Sequence, residues 1–460
     1  MSKPYENGLF VFRRDLRFVD NTGLNVLAKQ CKNVYTIFVF TPEQVGSSNH
    51  YRSNNAIQFM MESLDHLAKD IEKEGGRLQF FYGKNKSVID HCIQSRNINA
   101  VAFNVDMTPY ARERDAEIAE LCKKKGVELI TSHDYYLHPP DSIQNGSGQP
   151  YQKFTPYYET ASARPVPSPA RKIHIPFAHT SISHAIPLSS IRSKFASRPN
   201  THLLAKGGRT EAIRVLSDAA RRIRGYDAVH NDLSKETSKL SAAIKFGCVS
   251  IREVYKVMRA KHGFIRQLYW RDFYANIMYA FPKVLGHSLK PSYDKIRWRH
   301  NAAAFKKWCE GNTGFPIVDA GMRQMNETGY MHNRARLIVA SFLIKTLLID
   351  WREGERYFAT KLTDYDPANN NGNWQWVSGG GADSQPYFRV LNPWRQAEEY
   401  DPNAEYIRKW VPELKEVSTR DIMRWHFVYR NYKYTGYPAP IVDYEERRDQ
   451  VIKMYSDVFK

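Results

Sequence analysis

The chain reads as an α/β protein in two parts, a parallel-sheet domain followed by an all-α domain. Two patterns carry this. Up to about residue 135, short β-rich runs alternate with helix-length stretches, as in a parallel sheet built of βαβ units. From about residue 208 to residue 460, helical apolar spacing takes over. Between them, over 136–207, the composition turns to Pro, Ser, Gly and His, and an extended interdomain linker is expected.

The expected strands are Gly8–Phe12, Val34–Phe40, Arg77–Tyr82, Asn99–Asn104 and Val127–Thr131, with helices over roughly Asn54–Glu74, Lys86–Gln94 and Tyr110–Lys125. No G-x-G-x-x-G follows the first strand, so the usual dinucleotide fingerprint is missing. Arg13, Arg14 and Arg17 follow that strand directly, either as a solvated turn or as domain-interface contacts. In the linker, Pro139-Pro-Asp, Pro165-Val-Pro-Ser-Pro and Ser189–Asn200 suggest a connector without its own core. Tyr151-Gln-Lys-Phe-Thr-Pro-Tyr-Tyr is an aromatic island expected to pack onto one of the domains.

The formal net charge is +19 and the pI near 9.5, which favours a polyanionic partner, nucleic acid before an anionic membrane. Five scattered cysteines, none in a C-x-x-C pair, point to reduced thiols in an intracellular compartment and away from a zinc site. No signal core or membrane-length apolar window is present, and a monomer without membrane contact is expected.

The stretch Asp364-Tyr-Asp-Pro-Ala-Asn-Asn-Asn-Gly-Asn-Trp-Gln-Trp376 is the most unusual in the chain. Asn and Gly build turns, so Asn369–Asn373 is expected as a tight, irregular turn, and Trp374 and Trp376 as a wall for a flat ligand or as core. Upstream, Met331-His-Asn-Arg-Ala-Arg336 opens an apolar run of helical length that reaches Ile349. Arg336, at the start of so apolar a helix, needs an acid, and Asp364 and Asp366 are the nearest suitable ones. Thr237-Ser-Lys-Leu-Ser241 offers hydroxyls and backbone N–H groups at a helix start, which suit phosphate oxygens; it is also an ordinary N-cap cluster.

The block from Trp298 to Trp410 resembles the flavin-binding part of the photolyase/cryptochrome family. Thr313-Gly-Phe-Pro-Ile-Val-Asp-Ala-Gly-Met-Arg-Gln, Met331-His-Asn-Arg, Asp350-Trp-Arg-Glu-Gly-Glu-Arg-Tyr-Phe, Asn371-Gly-Asn-Trp-Gln-Trp and Pro386-Tyr-Phe-Arg are most like class I DNA photolyases. The resemblance runs from Leu9 to roughly Leu414 and is weaker between about Asp141 and Gly225. It implies an N-terminal Rossmann-like antenna domain, a C-terminal FAD domain, and light-driven splitting of cyclobutane pyrimidine dimers in UV-damaged DNA. A cryptochrome-type blue-light photoreceptor and a photolyase for six-four photoproducts are the alternatives.

The same resemblance implies the site. Tyr226 and Thr237, Ser238, Lys239, Leu240 and Ser241 would wrap the FAD pyrophosphate, and Asn333, Arg336, Asp364 and Asp366 would hold the flavin. Asn370 matches the residue facing flavin N5, an Asp in plant cryptochromes and a Cys in animal ones. Trp374, Trp351 and Trp298 match a chain of tryptophans that relays electrons from the surface. Trp270 and Trp376 would line the lesion pocket with Gln267 and Leu337, and Arg271, Arg334 and Arg389 would meet the lesion phosphates. Class I enzymes have Glu and Met where this chain has Gln267 and Leu337. Gln267 resembles six-four photolyases, but their paired histidines are Asn333 and Leu337 here. Trp376 argues against DASH cryptochromes, where a tyrosine is usual. Some class I enzymes hold a folate antenna with an Asn-Glu pair; Tyr110 and Ala111 stand there instead, so a deazaflavin or no antenna is expected over folate.

Overall fold

A computed structural model describes residues 3–223 and 225–459. Five parallel strands form one sheet in the order β3-β2-β1-β4-β5: β1 Tyr5–Phe12, β2 Cys31–Phe40, β3 Leu78–Tyr82, β4 Ala100–Asn104 and β5 Glu128–Ser132. All five expected strands are present. β1, β2 and β4 read as apolar runs because the sheet is covered on both faces. The helices between them are α1 (Thr22–Gln30), α2 (Asn54–Lys73), α3 (Asn85–Arg96) and α4 (Pro109–Lys125). α1 had no expected counterpart; Asn21 caps it by accepting from the Leu24 N–H.

The strand order reverses beside β1, where the chains leaving β1 and β4 diverge. Arg13–Arg17 sits there, and the solvated-turn alternative fails. Arg17 is 1% exposed and donates to Asp134 and to the Gly247 carbonyl, and Arg14 reaches Asp366. These arginines clamp the sheet to the helical part of the chain.

The linker is not coreless. It contains the helix α5 (Phe154–Ser162), whose Phe154, Tyr157 and Ala161 are buried. The linker's second half runs along the sheet, with bridges Val34–Phe177 and Phe80–Ile186. The aromatic island packs onto α6 (His262–Ala280) of the helical part, where Phe154 stacks on Trp270 with centroids 3.7 Å apart and planes 7° apart.

The expected long helix after Met331 is broken. α7 covers Asn333–Ser341, a wider π-helical turn follows over Phe342–Thr346, and Leu348 takes φ +60°. The π turn brings the buried Lys345 Nζ to the carbonyls of Ser378 and Tyr387. α8 (Trp351–Lys361), α9 (Pro367–Ser378), α10 (Pro393–Tyr400) and α11 (Tyr444–Phe459) complete the elements around the site.

Candidate flavin and lesion cleft

Asn369–Asn373 is not a turn. It is the first half of α9, started by Pro367 and capped by Asp366, which accepts from the Asn369 N–H at 3.1 Å. The asparagines tolerate the helix because their side chains are spoken for. Asn370 Nδ2 donates to the Glu355 carbonyl at 2.9 Å, and Asn371 Nδ2 donates to the Val284 carbonyl and to Glu355 Oε1. Gly372 permits the close crossing of α9 and α6, since a Cβ there would stand 2.1 Å from Tyr274 Cδ1.

α7 and α9 frame a cleft of about 440 Å³ with a side chamber of about 100 Å³. Asn333, Arg336, Leu337, Asp364 and Asp366 line both spaces, and Asn370 and Trp374 line the chamber. Arg336 Nη2 donates to Asp364 Oδ2 at 2.9 Å, and its Nε donates to the Met331 carbonyl. Burial alone would depress the Arg336 pKa, but Asp364 more than offsets this and raises it. Asp364 Oδ1 is buried without a hydrogen-bond partner among the described residues, so the cleft holds an unmet acceptor. Asp366 is also buried; burial favours its neutral form, yet Arg14 and Arg271 hold its pKa well below the usual carboxylate range.

The wider end of the cleft carries Gln267, Trp270, Arg271, Tyr274 and Trp376. Tyr226, Ser238, Leu240 and Ser241 line its other wall, while Thr237 and Lys239 face a neighbouring cavity. Thr237 pairs with the Tyr330 hydroxyl at 2.7 Å, and Lys239 takes φ +55° and pairs with Glu236. Arg271 is tied inward, donating to the Tyr135 carbonyl and lying over the Tyr136 ring. Arg334 donates to Asn231 Oδ1 and lies 4.1 Å over Tyr400, and Arg389 is exposed on the loop before α10. Trp351 and Trp374 are buried in one hydrophobic cluster with Trp298 at its edge. Trp374 meets Phe358 and Trp308 edge to face, at 4.9 and 6.2 Å. Trp298 meets Tyr455 of α11 at 6.1 Å.

Two residues of the site went unread in the sequence, and a third, Arg14, was read as a turn or domain-interface residue and not as part of the site. Lys245 lines the cleft, its pKa lowered to about 8 by burial and by Arg14. Glu355 stands behind Asn370 and Asn371, its carboxyl pushed up to about 7 by burial. Arg14 arrives from the sheet. A lone cation closing the apolar run Ala242-Ala-Ile was the available signal for Lys245; the other two depend on long-range contacts.

FAD fits this donor set. It brings N–H and hydroxyl donors for Asp364 Oδ1 and acceptors for Arg336 and Lys245, and its phosphates suit the Ser238 and Ser241 hydroxyls.

Comparison with known proteins agrees with the geometry. A family model described as DNA photolyase matches residues 9–172, and one described as the FAD binding domain of DNA photolyase matches residues 264–457. The curated deoxyribodipyrimidine photo-lyase of Halobacterium salinarum is 36% identical, the match covering 97% of this chain and 98% of that protein. That of Synechococcus is 34% identical over 98% and 96%. A crystal structure of a Sulfolobus tokodaii photolyase with two FAD molecules has a TM-score of 0.89 and 38% identity, covering 98% of this chain and 100% of that one. A class III photolyase from Agrobacterium tumefaciens has a TM-score of 0.91 and 30% identity, covering 100% and 99%. Sheet, cleft and sequence likeness converge over nearly the full length, and the chain belongs to the DNA photolyase family.

Proposed function

We propose that the protein splits cyclobutane pyrimidine dimers in UV-damaged DNA in a light-driven reaction, acting as a monomer. One observation carries the reading. The subsite around Arg336, Asp364 and Asn370 opens into the aromatic subsite of Trp270 and Trp376, with Leu337 and Asp366 lining both spaces. A flat cofactor in the first and an extruded pyrimidine dimer in the second would be in contact. When bound, FAD supplies a light-absorbing centre able to exchange single electrons.

The chain's own residues do the rest. Trp270 and Trp376 replace the stacking that an extruded dimer loses, and Phe154 fixes the Trp270 ring from behind. Gln267 presents an amide that donates to one dimer carbonyl and accepts from a ring N–H, without a proton to give. Arg334 and Arg389 meet phosphates at the rim. Trp374, Trp351 and Trp298 give oxidisable side chains between chamber and surface. The Arg336–Asp364 pair and the Asp366 cap hold the cofactor subsite rigid.

The test is illumination of reduced, FAD-loaded protein with a dimer-bearing oligonucleotide. Return of the pyrimidine absorbance in light and not in darkness is expected. Persistent dimers with a flavin that still photoreduces would favour the photoreceptor reading; the fold likeness extends to a Synechocystis cryptochrome, with a TM-score of 0.87 and 25% identity. The Gln267 position leaves six-four photoproducts as the second substrate to assay.

A further inference from the structure

We propose that the segment Arg424–Tyr434, outside the cleft, is a second DNA-contacting surface that holds unpaired DNA adjoining the lesion. The inference rests on the DNA-repair reading above and extends its footprint.

Among the described residues the most exposed large apolar side chains are Phe388, Phe427 and Tyr434, at 62%, 68% and 75%. Phe427 is the free end of an aromatic stack built outward from the core. Phe315 stacks on Trp394 at 4.8 Å, Trp394 on His426 at 4.3 Å, and His426 meets Phe427 at 3.9 Å. Phe315 and Trp394 are buried, so the inner half of the stack is rigid and its outer face is open to water. Tyr434 lies 5.9 Å from Tyr432 and is likewise open.

Cations interleave with these rings. Arg424 lies 5.5 Å over Phe427, and Arg430 lies 5.6 Å over Tyr429. Between residues 419 and 436 the cations are Arg420, Arg424, Arg430 and Lys433, and Asp421 is the acid. That acid is already engaged by the Tyr432 hydroxyl. Open aromatic faces alternating with guanidinium and ammonium groups match successive bases and phosphates of a single strand. A paired duplex hides its base faces, and an apolar protein partner would leave the cations unmet.

The position also fits. α10 begins at Pro393, beside Trp394, and ends at Tyr400, over which Arg334 lies. Eight residues of helix span about 12 Å, a distance of a few nucleotides. α10 thus links Arg334, at its end, to the Trp394–His426–Phe427 stack at its start.

The test uses FAD-loaded protein in darkness and a single-stranded oligonucleotide carrying one dimer. One form covers the pocket alone and the other extends past it. Wild type should bind the longer form roughly tenfold tighter than the shorter. Phe427→Ala with Tyr434→Ala should abolish that difference while leaving affinity for the short form, and light-driven splitting of it, unchanged. Both side chains are exposed, and an unaltered melting temperature checks the fold. Arg430→Gln and Lys433→Gln should each lower the salt slope on the long form by about 0.7. Equal binding of both forms by wild type, or an undiminished preference in the double variant, overturns the proposal. A dimer that wild type binds length-dependently and fails to split in light overturns the repair reading instead.

Discussion

Arg14 Nη2 donates to Asp366 Oδ2 at 2.9 Å, across 352 residues of sequence, while Arg14 Nη1 reaches Asp106 at the end of β4. The end of the sheet thus holds the carboxylate that caps α9 and lines the cleft. Both partners are about 9% exposed, so the pair is screened little by solvent.

Arg14→Ala should leave Asp366 and Asp106 buried without this cation. Removing one partner of a buried ion pair costs about 3 kcal/mol. Urea unfolding should register that loss, and flavin should dissociate more readily on dilution. Unchanged stability and retention would mean that Lys245 and Arg271 suffice to hold Asp366.

Asp364→Ala should give a protein largely free of flavin, because Arg336 loses its partner and the unmet acceptor Oδ1 disappears with it. The ratio of flavin to protein absorbance after purification reads this. A fully yellow variant would move the cofactor away from this pair.

Glu355→Gln should flatten the pH dependence of stability. Burial raises the folded carboxyl from 4.5 to about 7, so the folded protein keeps a proton that the unfolded chain releases between those values. Stability therefore falls as pH rises through that window, by about 3 kcal/mol for this group, and stays lowered above it. Melting curves at about pH 5 and about pH 8 should differ less for the variant than for wild type. Identical differences would mean that Glu355 is ionised in the folded state.

Gly372→Ala should loosen the crossing of α6 and α9, because its Cβ would stand 2.1 Å from the Tyr274 ring. Overpacking of this kind costs about 1–3 kcal/mol, and the wall formed by Tyr274 should shift with it. Thermal melts and flavin content would report the change; a variant matching wild type in both would mean that Tyr274 moves freely.

The sheet was legible because β-rich runs such as Val34–Phe40 owe their composition to burial on both faces, which composition alone records. The Asn-rich stretch was misread for the opposite reason. Asn is a poor helix former, and the hydrogen bonds that repay Asn370 and Asn371 come from Glu355 and Val284, elements that sequence spacing does not bring together. Asp366–Pro367 is a cap-and-proline helix start that the reading of Asn369–Asn373 as a turn passes over. Arg336–Asp364 was legible because a cation opening an apolar helix demands an acid. Arg14–Asp366 was not, since several acids could have met that demand. The linker reads as coreless because prolines and serines dominate it, while its aromatic island was legible as a docking segment: Phe154 and Tyr157 pack on Trp270 and Phe273 of α6, a partner that sequence spacing does not identify.

The most direct measurement of the central claim is a single-turnover repair assay. Reduced, FAD-loaded protein is saturated in darkness with a dimer-bearing oligonucleotide, exposed to one light flash, and the intact dimers are counted by chromatography. Dimers should fall in the flashed sample and not in the dark one, and Trp298→Phe should behave as wild type because its flavin is already reduced. Dimers that survive the flash in a wild-type complex of proven occupancy would contradict the account.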